Sequence, residues 1–196
     1  MTEGVLYMDK KAIVFPGVGY TKDRPLLYYA GKLAVKNGYK LKAVDFSGLD
    51  WSKEKLKDKE FLRKTLERCM AITEKALEDA GDISHDEVVF ISKSIGTVVA
   101  TAYAKTKQIN AKQICFSPLE MIGDHVNEAG AVLFCGDADP YASYPVIESI
   151  AKEKKLRMHR IEGGNHSLET GNIFTDIDNM RMMMQCVAEE LEDQKG

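Results

Sequence analysis

The chain has 196 residues, 44% of them hydrophobic, which is enough for one domain with a substantial buried core across residues 1–196. Its formal net charge is only -3 and its lysines and arginines are interspersed with acids, which argues against nucleic acid as a partner and for a small molecule or another protein. No apolar run approaches the roughly 18 residues of a membrane span, and MTEGVLYMDKK lacks the layout of a secretory signal, so a soluble, cytoplasmic protein with no membrane partner is expected.

The first predicted strand covers residues 12–15 and runs into Pro16-Gly17-Val18-Gly19-Tyr20. The two glycines suit a turn with unusual backbone angles. They also make half of a dinucleotide fingerprint, but the third glycine would fall at Lys22 and Asp45 is left without a firm role, so no nucleotide cofactor is expected. A helix is predicted from Pro25, a residue suited to a first turn, to Asn37-Gly38, a favoured C-terminal pair. Residues 41–46 read as a second strand. A longer helix follows over about residues 52–80, because Leu62, Leu66, Cys69, Thr73, Ala76 and Leu77 recur at helical spacing before Gly81.

Residues 88–91 form the next apolar run, and Ser92-Lys93-Ser94-Ile95-Gly96 turns it into a helix-like stretch. A serine at a sharp strand-to-helix bend exposes its hydroxyl, and the N–H of Ile95 then faces any oxyanion that forms there. The plainer role for Ser94 is a helix N-cap. Further strands are predicted at residues 113–116, 131–135 and 156–161. Asp137 and Asp139 follow directly on the fifth of these six runs, where an acid can orient a histidine. His166 follows the sixth, in Gly163-Gly164-Asn165-His166-Ser167. The other histidines, His85, His125 and His159, precede or lie within predicted elements, and packing or surface roles suit them. The last helix is predicted to start at Thr175, with Asp178 completing a capping box and Ile177, Met180, Met184, Val187 and Leu191 on one stripe.

Uninterrupted apolar strands separated by helices imply an α/β fold: a mostly parallel sheet of about six or seven strands with helices on both faces and ligands at the C-terminal strand ends. Cys69, Cys115, Cys135 and Cys186 are widely spaced and show no CxxC pattern, so neither a metal site nor a disulfide framework is expected.

Through SKSIGT, CGDADP and GGNHS, together with strand-helix alternation over most of its length, the chain resembles the α/β-hydrolase family. The resemblance implies a serine hydrolase without cofactor: Ser94 as nucleophile, His166 as base and an acid between them in the order Ser, acid, His. The family's G-x-x-D turn, often followed by proline, selects Asp139 over Asp137, which then braces the turn. The chemistry implied is an acyl-enzyme on a small-molecule ester, thioester or amide. The first motif departs from G-x-S-x-G at Ser92. The family's second oxyanion donor comes from the loop after an early strand, which makes Val18 the candidate beside Ile95, although Pro16 stands where relatives often have histidine. Gly17 and Gly19 of that loop and Lys93 beside the serine are the candidate substrate contacts, and Lys22, Arg24 and Lys93 could attract an anionic group. The segment between Cys115 and Ala131, where such enzymes often insert a cap, leaves room for one short helix, so an open site is expected, with access governed by residues 163–174. The competing reading from another class is a noncatalytic binding or scaffolding protein that keeps the fold.

Overall fold

In the computed structural model, which describes residues 9–49, 58–81, 83–84 and 86–192, the apolar runs become six strands: β1 (Lys10–Phe15), β2 (Lys40–Ala43), β3 (Glu87–Lys93), β4 (Ala111–Phe116), β5 (Ala131–Gly136) and β6 (Arg157–Ile161). All pair in parallel, in the order β2-β1-β3-β4-β5-β6. β3 and β5 are buried almost end to end because helices cover both faces, while the edge strand β2 exposes Lys40 and Leu41. A lysine on an edge strand discourages pairing with another chain.

Among the described residues, five α-helices are divided between the two faces. Leu26, Leu27, Ala30 and Ala34 of α1 (Pro25–Lys36) pack with Met183, Val187 and Leu191 of α5 (Ile173–Leu191) against Val14, Ile91 and Phe134. The opposite core layer joins Cys69 and Leu77 of α2 (Lys59–Leu77), Val98 and Val99 of α3 (Ile95–Lys107), and Ile147 of α4 (Tyr144–Glu153) to Phe15, Phe90 and Leu133. From β1 the chain moves through α1 to β2 on one side, and it later returns to β3 on the other. The strand order therefore reverses between β1 and β3, the position where open α/β sheets bind ligands.

Several boundaries differ from the sequence expectation. β2 ends at Ala43: the N–H of Val44 makes the last bond to β1, to Val14 O, and beyond it the chain turns so that Val44 and Phe46 pack in the core. α2 stops at Leu77 and a 3-10 turn carries the chain through Ala80 to Gly81; residues 52–57 of the expected helix lie outside the described residues, as does His85. α5 begins at Ile173 instead of Thr175. Its cap is Asn172, whose side chain accepts from the N–H groups of Phe174 and Thr175, so the expected Thr175–Asp178 box is not what starts the helix. The expected stripe also shifts: Ile177 is exposed and Met183 takes a buried place beside Val187 and Leu191. The four cysteines are free, three of them buried.

Candidate active site

Backbone hydrogen bonds continue between four neighbouring strands past their C-terminal ends, which fixes the loops above them. Ser94 N–H donates to Phe116 O at 3.0 Å, Ser117 N–H to Phe134 O at 2.8 Å, and Ala138 N–H to Gly164 O at 3.0 Å. Ser94, Asp139 and His166 lie on these loops, far apart in sequence and adjacent in space.

Ser94 occupies φ 55°, ψ -126°, a conformation that L residues rarely adopt and that surrounding structure must impose. It does so partly because Gly96 lies against β1: a Cβ there would stand 2.3 Å from the carbonyl oxygen of Phe15, so only glycine lets α3 begin so close to the sheet. Thr97 closes the bend, its N–H and hydroxyl both donating to Ser94 O. Ile95 is the first residue of α3, and an N–H at that position has no carbonyl partner within the helix.

The Ser94 hydroxyl lies 2.8 Å from Nε2 of His166, and Nδ1 of the same ring lies 2.7 Å from Oδ2 of Asp139. An ionised carboxylate can only accept, so Nδ1 carries the proton and Nε2 is left free to accept from the serine. The Asp139 side chain is only 3% exposed, and its other oxygen accepts from Tyr141 N–H at 2.8 Å. Burial pushes the His166 imidazole below its ordinary 6.5, against the opposing pull of its hydrogen bond to Asp139, which keeps the ring neutral near pH 7. The Tyr141 ring meets it edge-on, with centroids 5.0 Å apart.

Asp137 is directed elsewhere. It pairs with Arg160 through Oδ2 and accepts from Gly163 N–H at 2.7 Å through Oδ1, bracing the turn between β6 and the His166 loop. The Arg160 guanidinium holds its carboxyl below the usual range.

The loop after β1 comes up beside Ser94. Gly17 and Tyr20 exchange backbone hydrogen bonds across a tight turn with Val18 and Gly19 at its tip, Gly19 at φ 64°. A Cβ on Gly17 would be 3.1 Å from the Ser94 Cβ. Gly17 and Gly19 also line a cavity of about 460 Å³ with Pro16, Val44 and Phe46. Lys22 lies on its rim and pairs with Asp23, whereas Arg24 is the exposed residue ahead of α1.

Lys93 departs from expectation. Its side chain is 1% exposed and points away from solvent, so it cannot contact a substrate; its ammonium donates instead to the carbonyl of His166 at 2.5 Å. Ser117, which the sequence reading passed over, donates to the same carbonyl at 2.9 Å. Its place directly after β4, equivalent to that of Ser94 after β3, was the signal available. Asn165 was also missed: its side chain accepts from the N–H groups of Ser167 and Glu169, and with Leu168 buried beneath, the loop bearing His166 is pinned instead of free. Among the described residues no group of three or more potential metal ligands occurs, and no helix is long and apolar enough to cross a membrane.

No protein-family model matches the sequence, and no curated protein is similar enough to count as a relative. Solved structures resemble it in fold. A Xanthomonas campestris pv. campestris protein described as a putative hydrolase of the α/β superfamily superposes with a TM-score of 0.67 at 18% identity, covering 93% of this chain and 98% of its own. A second Xanthomonas campestris protein, described as an α/β serine hydrolase without a lid, gives 0.61 at 16% identity over 100% of this chain and 88% of its own. Est1E from Butyrivibrio proteoclasticus, solved with ferulic acid bound, gives 0.65 at 14% identity over 94% and 88%. At these identities the likeness concerns architecture, and it agrees with the sheet order and the strand-to-helix bend at Ser94: the chain has the α/β-hydrolase fold.

Proposed function

We propose that the protein is a serine hydrolase that cleaves a small ester, thioester or amide through an acyl-enzyme on Ser94. The observation that carries this reading is the continuous hydrogen-bond chain from Asp139 through His166 to the Ser94 hydroxyl. In this mechanism His166 Nε2 takes the hydroxyl proton as Ser94 Oγ attacks the substrate carbonyl, and Asp139 stabilises the resulting imidazolium. The proton then passes to the leaving group, and water repeats the sequence on the acyl-enzyme. The Ile95 N–H and, from the loop after β1, the Val18 N–H are the proposed donors to the oxyanion.

The substrate is expected to be small. Residues 117–130, between β4 and β5, hold a single 3-10 turn (Glu120–Asp124), and the cavity bordered by Gly17 is modest in volume. A fluorophosphonate probe tests the assignment: wild type should gain one adduct by intact-protein mass, and Ser94→Ala none. Equal labelling of the two would overturn it. A wild-type protein that takes no label and turns over no ester would favour a noncatalytic binding role.

A further inference from the structure

The side chain of Lys93 is the most deeply buried charged group among the described residues, at 1% exposure, and the proposed mechanism gives it no task. Its surroundings are specific. The ammonium contacts the His166 carbonyl at 2.5 Å, sits 5.3 Å from the centroid of the Tyr20 ring, and feels the charges of Asp139 and Glu169. Ser117, on the adjacent strand end, donates to the same carbonyl. One main-chain oxygen thus receives donors from the ends of β4 and of β3, its paired neighbour, which also delivers Ser94. A buried lysine is not held this way by accident of packing, because an uncompensated ammonium in the interior is strongly unfavourable.

We propose that Lys93 and Ser117 are positioning residues that clamp the His166 main chain and fix the imidazole against Ser94, with the Lys93 ammonium as the cation closest to that clamp. The inference rests on the hydrolase reading for its effect on turnover, but the clamp itself is independent of it. The titratable and charged groups facing the pair are Asp139 and Tyr141 from the loop after β5, Glu169 from the His166 loop and Tyr20 from the loop after β1, whose phenol neighbours Arg24. Lys93 lowers the proton affinity of His166, and it is itself lowered only to about 7 by burial, so it remains charged over the acidic range where the imidazole titrates.

Two variants separate the clamp from the charge. Lys93→Met removes both, and Ser117→Ala removes one hydrogen bond and no charge. Both should lower kcat on a short-chain p-nitrophenyl ester by roughly 10- to 100-fold with KM little changed, as expected when a reacting group is displaced by a fraction of an ångström. Only Lys93→Met should move the acid limb of the pH profile to higher pH. An NMR titration of the His166 Cε1 proton, assigned through His166→Asn, should show the same upward movement without any need for turnover. If wild type is inactive and unlabelled, the hydrolase reading fails while the titration still judges the charge effect. If wild type is active and Lys93→Met keeps both kcat and the His166 titration, the inference is overturned. Should Lys93→Met not yield folded protein, unchanged kcat in Ser117→Ala overturns the clamp.

Discussion

At the scale of single residues the two acids after β5 are divided by what they touch. Asp139 holds the imidazole and Asp137 holds Arg160 and the Gly163 N–H. Asp139→Asn should therefore reduce kcat by up to about 10⁴-fold without loss of fold, because an amide no longer imposes the useful tautomer. Asp137→Asn should retain most activity; the opposite ranking in purified, folded variants would transfer the role. The lowered His166 titration adds a pH prediction. The base works only when neutral, so kcat/KM should rise with pH and reach its half-maximum below the ordinary imidazole value of 6.5. A midpoint above that value would contradict the burial argument. These residues were legible because their chemistry is tied to strand ends: the spacing in Gly136-Asp137-Ala138-Asp139-Pro140 and the glycines before His166 stand in the sequence. Lys93 was not legible as a buried group. A lysine in a loop is normally solvated, and only the fold shows that the His166 carbonyl lies over it.

Elements show a similar division between local and tertiary information. α1 has Pro25 at its start and Asn37-Gly38 at its end, both as read from the sequence, because helix signals of this kind act within a few residues. α5 starts ahead of the Thr175 expected from its capping-box pattern. Asn172 and Thr175 are both competent caps, and the choice falls to Asn172 as Asp176, inside the helix, accepts from the N–H and hydroxyl of Thr170 and draws the preceding loop onto the first turn. Asn172→Ala should lower stability by about 1 kcal/mol, read as a fall of roughly 2–4 °C in Tm, whereas Thr175→Ala should stay within about 0.5 kcal/mol. Equal effects would mean that the cap is misassigned. The displaced apolar stripe has the same origin. Periodicity permits Met183 or Met184 as the buried methionine, and packing against α1 and the sheet settles on Met183.

For the whole molecule, the parallel order follows from strands with little polar alternation, a pattern strong in β3, β4 and β5 and weak in the edge strands β2 and β6; the expected bounds drifted most at β2, while those of β6 held to one residue. The strand order itself is not written in any local pattern, yet it places the turn at Gly17 and the bend at Ser94 side by side across the reversal between β1 and β3. With a single 3-10 turn between β4 and β5 and a His166 loop tied down by its own hydrogen bonds, no large described segment is placed to cover the serine. Short-chain p-nitrophenyl esters should consequently be cleaved faster than long-chain ones, and a clear preference for long chains would count against this open geometry.

The buried ammonium of Lys93 also ties folding to proton uptake. Its proton leaves near pH 7 in the folded chain, whereas an exposed lysine in the unfolded chain keeps its proton to about 10.5. Between those values the unfolded state binds more protons, so this residue's unfavourable contribution shrinks as pH rises and is gone above the upper value. The full span is on the order of 5 kcal/mol at most, from about 1.4 kcal/mol per unit. Denaturant midpoints for wild type and Lys93→Met should then converge as the pH is raised from 7 to 10, with the variant the more stable at the lower end. A constant gap would show that the charge is neutralised by its neighbours at every pH. If the midpoints do converge, the lysine that serves the histidine does so against the stability of the fold, and its full cost is present at the pH where the proposed base becomes active.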